Sequence, residues 1–129
     1  MACRWLVLTC CVAVTAVVAG CTKPREPAEF SERGMLPSCG QITLDQGEQI
    51  PADTLRCLDD AFDTGAELAV TFPTVEGDPI VRYYRVGPGI DGLEIFDDTS
   101  QDRFGAGRWN HMLCPGTVTA SEPLNCQDL

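Results

Sequence analysis

The stretch Pro79-Ile80-Val81-Arg82-Tyr83-Tyr84-Arg85-Val86 decides the fold. Its β-branched and aromatic residues favour extended backbone, and its proline stands at the start, where a strand tolerates a missing N–H. Gly87-Pro88-Gly89-Ile90-Asp91-Gly92 follows as a loop, and Leu93-Glu94-Ile95-Phe96 reads as the returning strand. Upstream, Leu68, Val70 and Phe72 alternate with Ala69 and Thr71. Downstream, Gly105-Ala106-Gly107 forms a turn and Arg108 to Cys114 a further strand. Strands joined this closely pair antiparallel. Gln41-Ile42-Thr43-Leu44 is a short candidate strand, ended by Asp45-Gln46-Gly47. A helix is expected over 51–64: Pro51 suits its first position, Asp53 its first turn, and Gly65 its C′ position. Leu55, Leu58 and Phe62 fall on one face of it. The expected fold is therefore α+β, with one helix packed on an antiparallel meander of about four strands.

A domain of this size has a small core, and small cores need staples. The chain has 129 residues and 8 cysteines. Cys39, Cys57, Cys114 and Cys126 fall within the domain read as residues 39–129. An even number in an exported chain argues for two disulfides. Proximity in sequence favours Cys39–Cys57 with Cys114–Cys126, while a Cys57–Cys114 bridge from helix to last strand stays open. The four lack the paired C-x-x-C spacing of a zinc site.

Export itself is read from residues 1–20. Arg4 is the one charge before Lys23, and Trp5 to Ala19 is apolar or small. That is a charged segment, an apolar run and small residues, as in a signal peptide. The run is shorter than the roughly 20 apolar residues that span a bilayer. Val18-Ala19-Gly20-Cys21 resembles the lipobox of bacterial lipoproteins. The resemblance implies that the Cys21 thiol is diacylated, that the chain is cut before it, and that the protein is lipid-anchored on the outer face of a cell membrane. Residues 21–38 then read as the lipidated cysteine and a proline-rich tether, which at ~3.1 Å per residue would reach on the order of 50 Å. Loss of Arg4 leaves 8 Lys+Arg against 19 Asp+Glu, a formal charge of 8 − 19 = −11. Such a chain is repelled by nucleic acid and by anionic headgroups.

A second resemblance rests on Thr74-Val75-Glu76-Gly77-Asp78-Pro79-Ile80, Asp98, Asp102-Arg103-Phe104-Gly105, and Cys114 at a strand end. These strings are similar to a family of small exported bacterial proteins, mostly lipoproteins, whose shared domain has no assigned activity. Cys39-Gly40 before the helix and Cys57 within it resemble the actinobacterial members. The match covers most of 39–114 and implies fold and address, with no ligand or catalytic residue to carry over.

Four constellations bear on chemistry. Glu76-Gly77-Asp78-Pro79 is a structured turn whose two carboxylates form a candidate binding edge. Asp98-x-Ser100-x-Asp102 has the spacing of the first EF-hand ligands. Arg103 stands where that loop needs glycine and Trp109 where it needs glutamate, so the reading favours no metal. His111 has no paired nucleophile and no phosphate loop precedes a helix, so no catalytic residue and no cofactor are assigned. Arg82, Tyr84, Phe96 and Trp109 would form an aromatic and cationic surface if they shared the face away from the helix. The expected function is a non-catalytic binding or interaction module of the envelope, engaging an envelope protein or wall component and no nucleic acid. A structural or stress-protective lipoprotein without a specific ligand is one alternative. A small hydrolase using Asp and Glu is the other.

Overall fold

A computed structural model describes residues 25–129. The stretch read as a signal peptide, Cys21 and the first residues read as tether lie outside the described residues. A single turn of helix, α1 (Ala28–Ser31), is followed by strand β1 (Ser38–Thr43), helix α2 (Ala52–Asp59), β2 (Ala66–Pro73), β3 (Pro79–Val86), β4 (Leu93–Asp98), β5 (Trp109–Cys114) and β6 (Gln127–Asp128). The strands form one sheet of six, in chain order from β1 to β6.

The single main helix, the meander and the two disulfides agree with the sequence reading, and two features of the sheet differ from it. The sheet has six strands rather than about four. The added β6 is two residues long, too short to show any periodicity. The first pair, β1 with β2, is parallel, and the other four pairs are antiparallel. The reason lies in the connection: a tight loop reverses the chain, whereas the segment carrying α2 crosses back over the sheet and restores its direction.

Helix α2 ends earlier than the apolar spacing suggests. After Asp59 the chain tightens, with the Ala61 N–H donating to the Leu58 carbonyl and the Gly65 N–H to Ala61. Gly65 has φ +96°, the left-handed C′ geometry expected of it. Leu58, Leu68, Val86, Leu93 and Cys114 are fully buried, and Val70 and Ile95 nearly so, between α2 and one face of the sheet. Disulfide Cys39–Cys57 ties β1 to α2, and Cys114–Cys126 ties β5 to the tail that carries β6. A second glycine is held by contact. Gly92, with φ +84°, opens β4 where an added Cβ would lie 2.3 Å from the Cys114 carbonyl oxygen.

The other face of the sheet is also covered. The segment from Pro27 to Pro37 runs across it as a strap. Phe30, 5% exposed, sits on Tyr83, Phe96 and Trp109 with ring centroids 4.6, 5.2 and 4.6 Å away. Arg33 lies 3.5 Å above the Phe30 ring and clasps Glu67 through Nε at 2.9 Å and Nη2 at 3.0 Å. The Glu67 N–H donates to the Pro37 carbonyl. The folded unit thus begins near Pro27, inside the segment whose proline and charge content reads as tether. One aromatic residue creates no periodicity; its role depends on the aromatic row waiting on the sheet.

Candidate binding surfaces

Strand register sorts the expected site residues onto two faces. Arg82 pairs across β3–β4 with Asp97, and Tyr84 with Ile95, which places both on the helix side. Phe96 and Trp109 stand on the strap side, against Phe30. The four therefore do not share an outer face. Alternation along each strand is readable from sequence, but the register that matches one strand's faces to its neighbour's is not.

The strap side is filled over β3, β4 and β5, while beside the strap Thr43, Ala69, Thr71, Val81 and Tyr83 line an open hollow of about 390 Å³. Phe96 is 1% exposed. Beside it runs a chain of charges: Arg33 to Glu67, Glu67 to Arg85, Arg85 to Glu94, and Glu94 to His111. Arg85 also donates to the Gly34 carbonyl at 2.8 Å, which fastens the strap. Burial pushes the Glu67 carboxyl upward, but the hydrogen bond from Arg33 and the charges of Arg33 and Arg85 outweigh it and hold the group below its ordinary value. His111 lies 3.0 Å from Glu94 and stacks on Phe96 at 4.0 Å, so its ring is engaged structurally.

At one end of the sheet the two motif strings meet. Asp78, 5% exposed, accepts the Arg103 backbone N–H at 3.0 Å and its Nε–H at 2.8 Å. These bonds from Arg103 hold the Asp78 carboxyl below its usual range. Thr74 completes the turn, donating its N–H to the Asp78 carbonyl and accepting the Asp78 N–H at 3.1 Å. The β2–β3 turn and the β4–β5 loop are thereby locked together, while Val75 and Phe104 at their tips are 84% and 72% exposed. Glu76 is exposed beside them and takes no part in the lock. Asp98 accepts the Ser100 N–H, and Asp102 accepts those of Phe104 and Gly105. Among the described residues no three His, Cys, Asp or Glu side chains come together as a metal site.

The helix side holds a recess. Helix α2 lies chiefly over β1 and β2, and the 44–50 loop and the 120–123 tail segment border what it leaves. Two adjoining clefts of about 270 and 290 Å³ share Gln49, Ile50, Arg82 and Tyr84. Leu44, Val70 and Phe72 wall the first; Leu55, Ile95 and Ala120 wall the second. Arg82 donates Nε to Asp97 at 2.6 Å and Nη2 at 2.8 Å, and that bidentate bond keeps the guanidinium firmly protonated. Its carbon lies 5.4 Å from the Phe72 ring and 5.9 Å from that of Tyr84. The Tyr84 side chain adds a further hydrogen-bonding neighbour that supports the Arg82 charge. A guanidinium and a phenol thus face walls that are about half apolar, the mixture found in small-ligand sites. Sequence reading named Arg82 and Tyr84 but missed Phe72, Gln49 and Ile50; the loop 45–50 carries no signal beyond ending a strand.

The paired carboxylates predict a pH response. Asp78 and Glu67 have lowered pKa values in the folded state, so their stabilisation is present above their unfolded values and is lost as pH falls through the folded ones. Urea unfolding is expected to show a plateau near neutrality and a decline below about pH 4. Asp78→Asn is expected to lower the plateau and flatten the decline.

Comparison with family models, curated proteins and solved structures returned no match. The reading of function therefore rests on the residues themselves.

Proposed function

We propose that the chain is an exported lipoprotein, anchored through Cys21 to the outer face of a cell membrane, and that it works there as a non-catalytic binding module. The supporting observation is the Arg82–Tyr84 recess, in which a guanidinium and a phenol face a half-apolar space. Its ligand is an envelope component, from a protein or from wall material, that offers an apolar segment and an acceptor oxygen. The two disulfides fit an oxidising compartment. Among the described residues no helix is long and apolar enough to cross a membrane, so Cys21 carries the attachment in this reading.

Non-catalytic action is favoured over hydrolysis by the condition of the acids. The carboxylates on the rim of the first cleft, Asp45 and Glu48, are exposed to water, Asp97 behind it is taken up by Arg82, and Asp78 and Glu67 are shifted toward the ionised form rather than poised as proton donors. A photo-crosslinking residue at Gln49, on the rim of both clefts, tests the reading in the native envelope. It is expected to capture a discrete component, with capture falling about tenfold or more when Ile50→Arg fills the recess. No discrete product, or the same products from the filled variant, would overturn it.

A further inference from the structure

The exposed apolar tips gain meaning from where the chain enters the fold. Pro27 and Glu29 line a hollow together with Trp109, Asn110 and His111. Trp109 opens β5 opposite Asp98, the last residue of β4, so it stands at the root of the loop that carries Phe104. The strap therefore starts at the same end of the sheet as the two locked hairpin tips. Only six residue steps separate Pro27 from Cys21. At most about 3.5 Å per residue, they reach about 20 Å. A lipid on Cys21 would keep this end of the domain, and no other, against the bilayer.

The chemistry of the end suits that neighbour. Val75 and Phe104 are held out by the Asp78–Arg103 lock instead of folding back. With that pair cancelled, the two tips carry Glu76 and Asp102 against Arg108, a net charge of 1 − 2 = −1 in a mature chain of formal charge −11, with Asp45 and Glu48 near Pro73 beside them. Two large exposed apolar side chains, Val75 and Phe104, thus stand at the end next to the anchor. A strongly acidic body would be pushed from anionic lipid, so insertion of the tips is an apolar contact and does not need anionic headgroups.

We propose that the hairpin end of the sheet rests on the bilayer that holds Cys21, with Phe104 and Val75 entering the boundary between headgroups and acyl chains. The proposal rests on the lipoprotein reading above. Two apolar side chains are too few to recruit a free protein, but a tether of this length supplies a high local concentration of membrane. The first of the two clefts, bordered by Phe72 and Pro73 at the end of β2, then opens beside the lipid surface.

The test uses the mature chain, coupled through the Cys21 thiol to a synthetic lipid in phosphatidylcholine vesicles. An environment-sensitive fluorescent amino acid is placed at position 104, at 75, or at 91 in the β3–β4 loop of the opposite end. Emission at 104 and 75 is expected to shift to the blue, with quenching by a bilayer-embedded quencher about twofold or more above that at 91. Equal emission and quenching at the three positions would overturn the proposal while leaving lipidation untouched. Intact mass of the protein from its own membrane decides lipidation separately. A chain beginning at Cys21 with added acyl groups supports it, and a mass without acyl groups overturns both readings.

Discussion

Reducing both disulfides of the mature chain is expected to unfold it at neutral pH. The cross-links close loops of 18 and 12 residues. Each then limits the freedom of the unfolded chain by an amount equivalent to about 3 kcal/mol, or about 6 kcal/mol together. A domain of roughly a hundred residues has a net stability of about 5–15 kcal/mol, so the loss removes a large part or all of it. The two bridges also act at opposite flanks of the sheet, one on the crossover helix and one on the last strand. The single variants Cys39→Ala with Cys57→Ala and Cys114→Ala with Cys126→Ala should therefore each lower stability by about half the total, nearly additively. Circular dichroism with and without a reductant, followed by urea titration of the two paired variants, measures both effects. A reduced chain that keeps its cooperative unfolding midpoint would refute the expectation.

Replacing Phe30 with alanine is expected to cost about 3 kcal/mol, as for a buried phenylalanine elsewhere in a core. The residue has no partners within its own segment that composition would reveal. Its stabilisation comes from Tyr83, Phe96 and Trp109, and from Arg33 stacked on its other side. Losing it also loosens the clasp of Arg33 on Glu67, which brings the neighbouring charges nearer to water. Phe30→Leu, which keeps apolar volume but loses the ring contacts, should fall about midway. Urea unfolding of the three proteins gives the comparison, with Trp109 fluorescence as a local probe. A Phe30→Ala protein as stable as the parent would mean that the strap does not hold the face it covers.

The sequence was most legible where period and punctuation agreed. β3 announced itself through its β-branched and aromatic residues, and Leu55 and Leu58 located α2, although the helix stops at Asp59 and Gly65 closes the tighter turns that follow it. The parallel first pair was less legible because direction is set by what the connection does in space, not by the strand residues. The candidate surface failed for a similar reason. Arg82, Tyr84, Phe96 and Trp109 each lie on a predicted strand, and a one-residue difference in register decides which face each takes. Asp78 and Arg103 illustrate the opposite case. Each belonged to a string distinctive in itself, yet their mutual bond spans 25 residues and required the two loops to meet. Phe72 and Ile50 were invisible as cleft residues because a wall is defined by what fails to cover it.

The order of the strands has a bearing on the sequence of events in folding. Each strand from β1 to β6 lies beside its neighbour in the chain, so the sheet can grow in chain order as residues emerge. The strap is the exception. Its seat is built from β3, β4 and β5, which supply Tyr83, Phe96 and Trp109. Phe30 therefore cannot settle until Trp109, 109 − 30 = 79 residues further along, has arrived. In the lipoprotein reading proposed above, the cleavage site before Cys21 would be processed before the strap docks, and only β6 and the Cys114–Cys126 bridge remain to form after it.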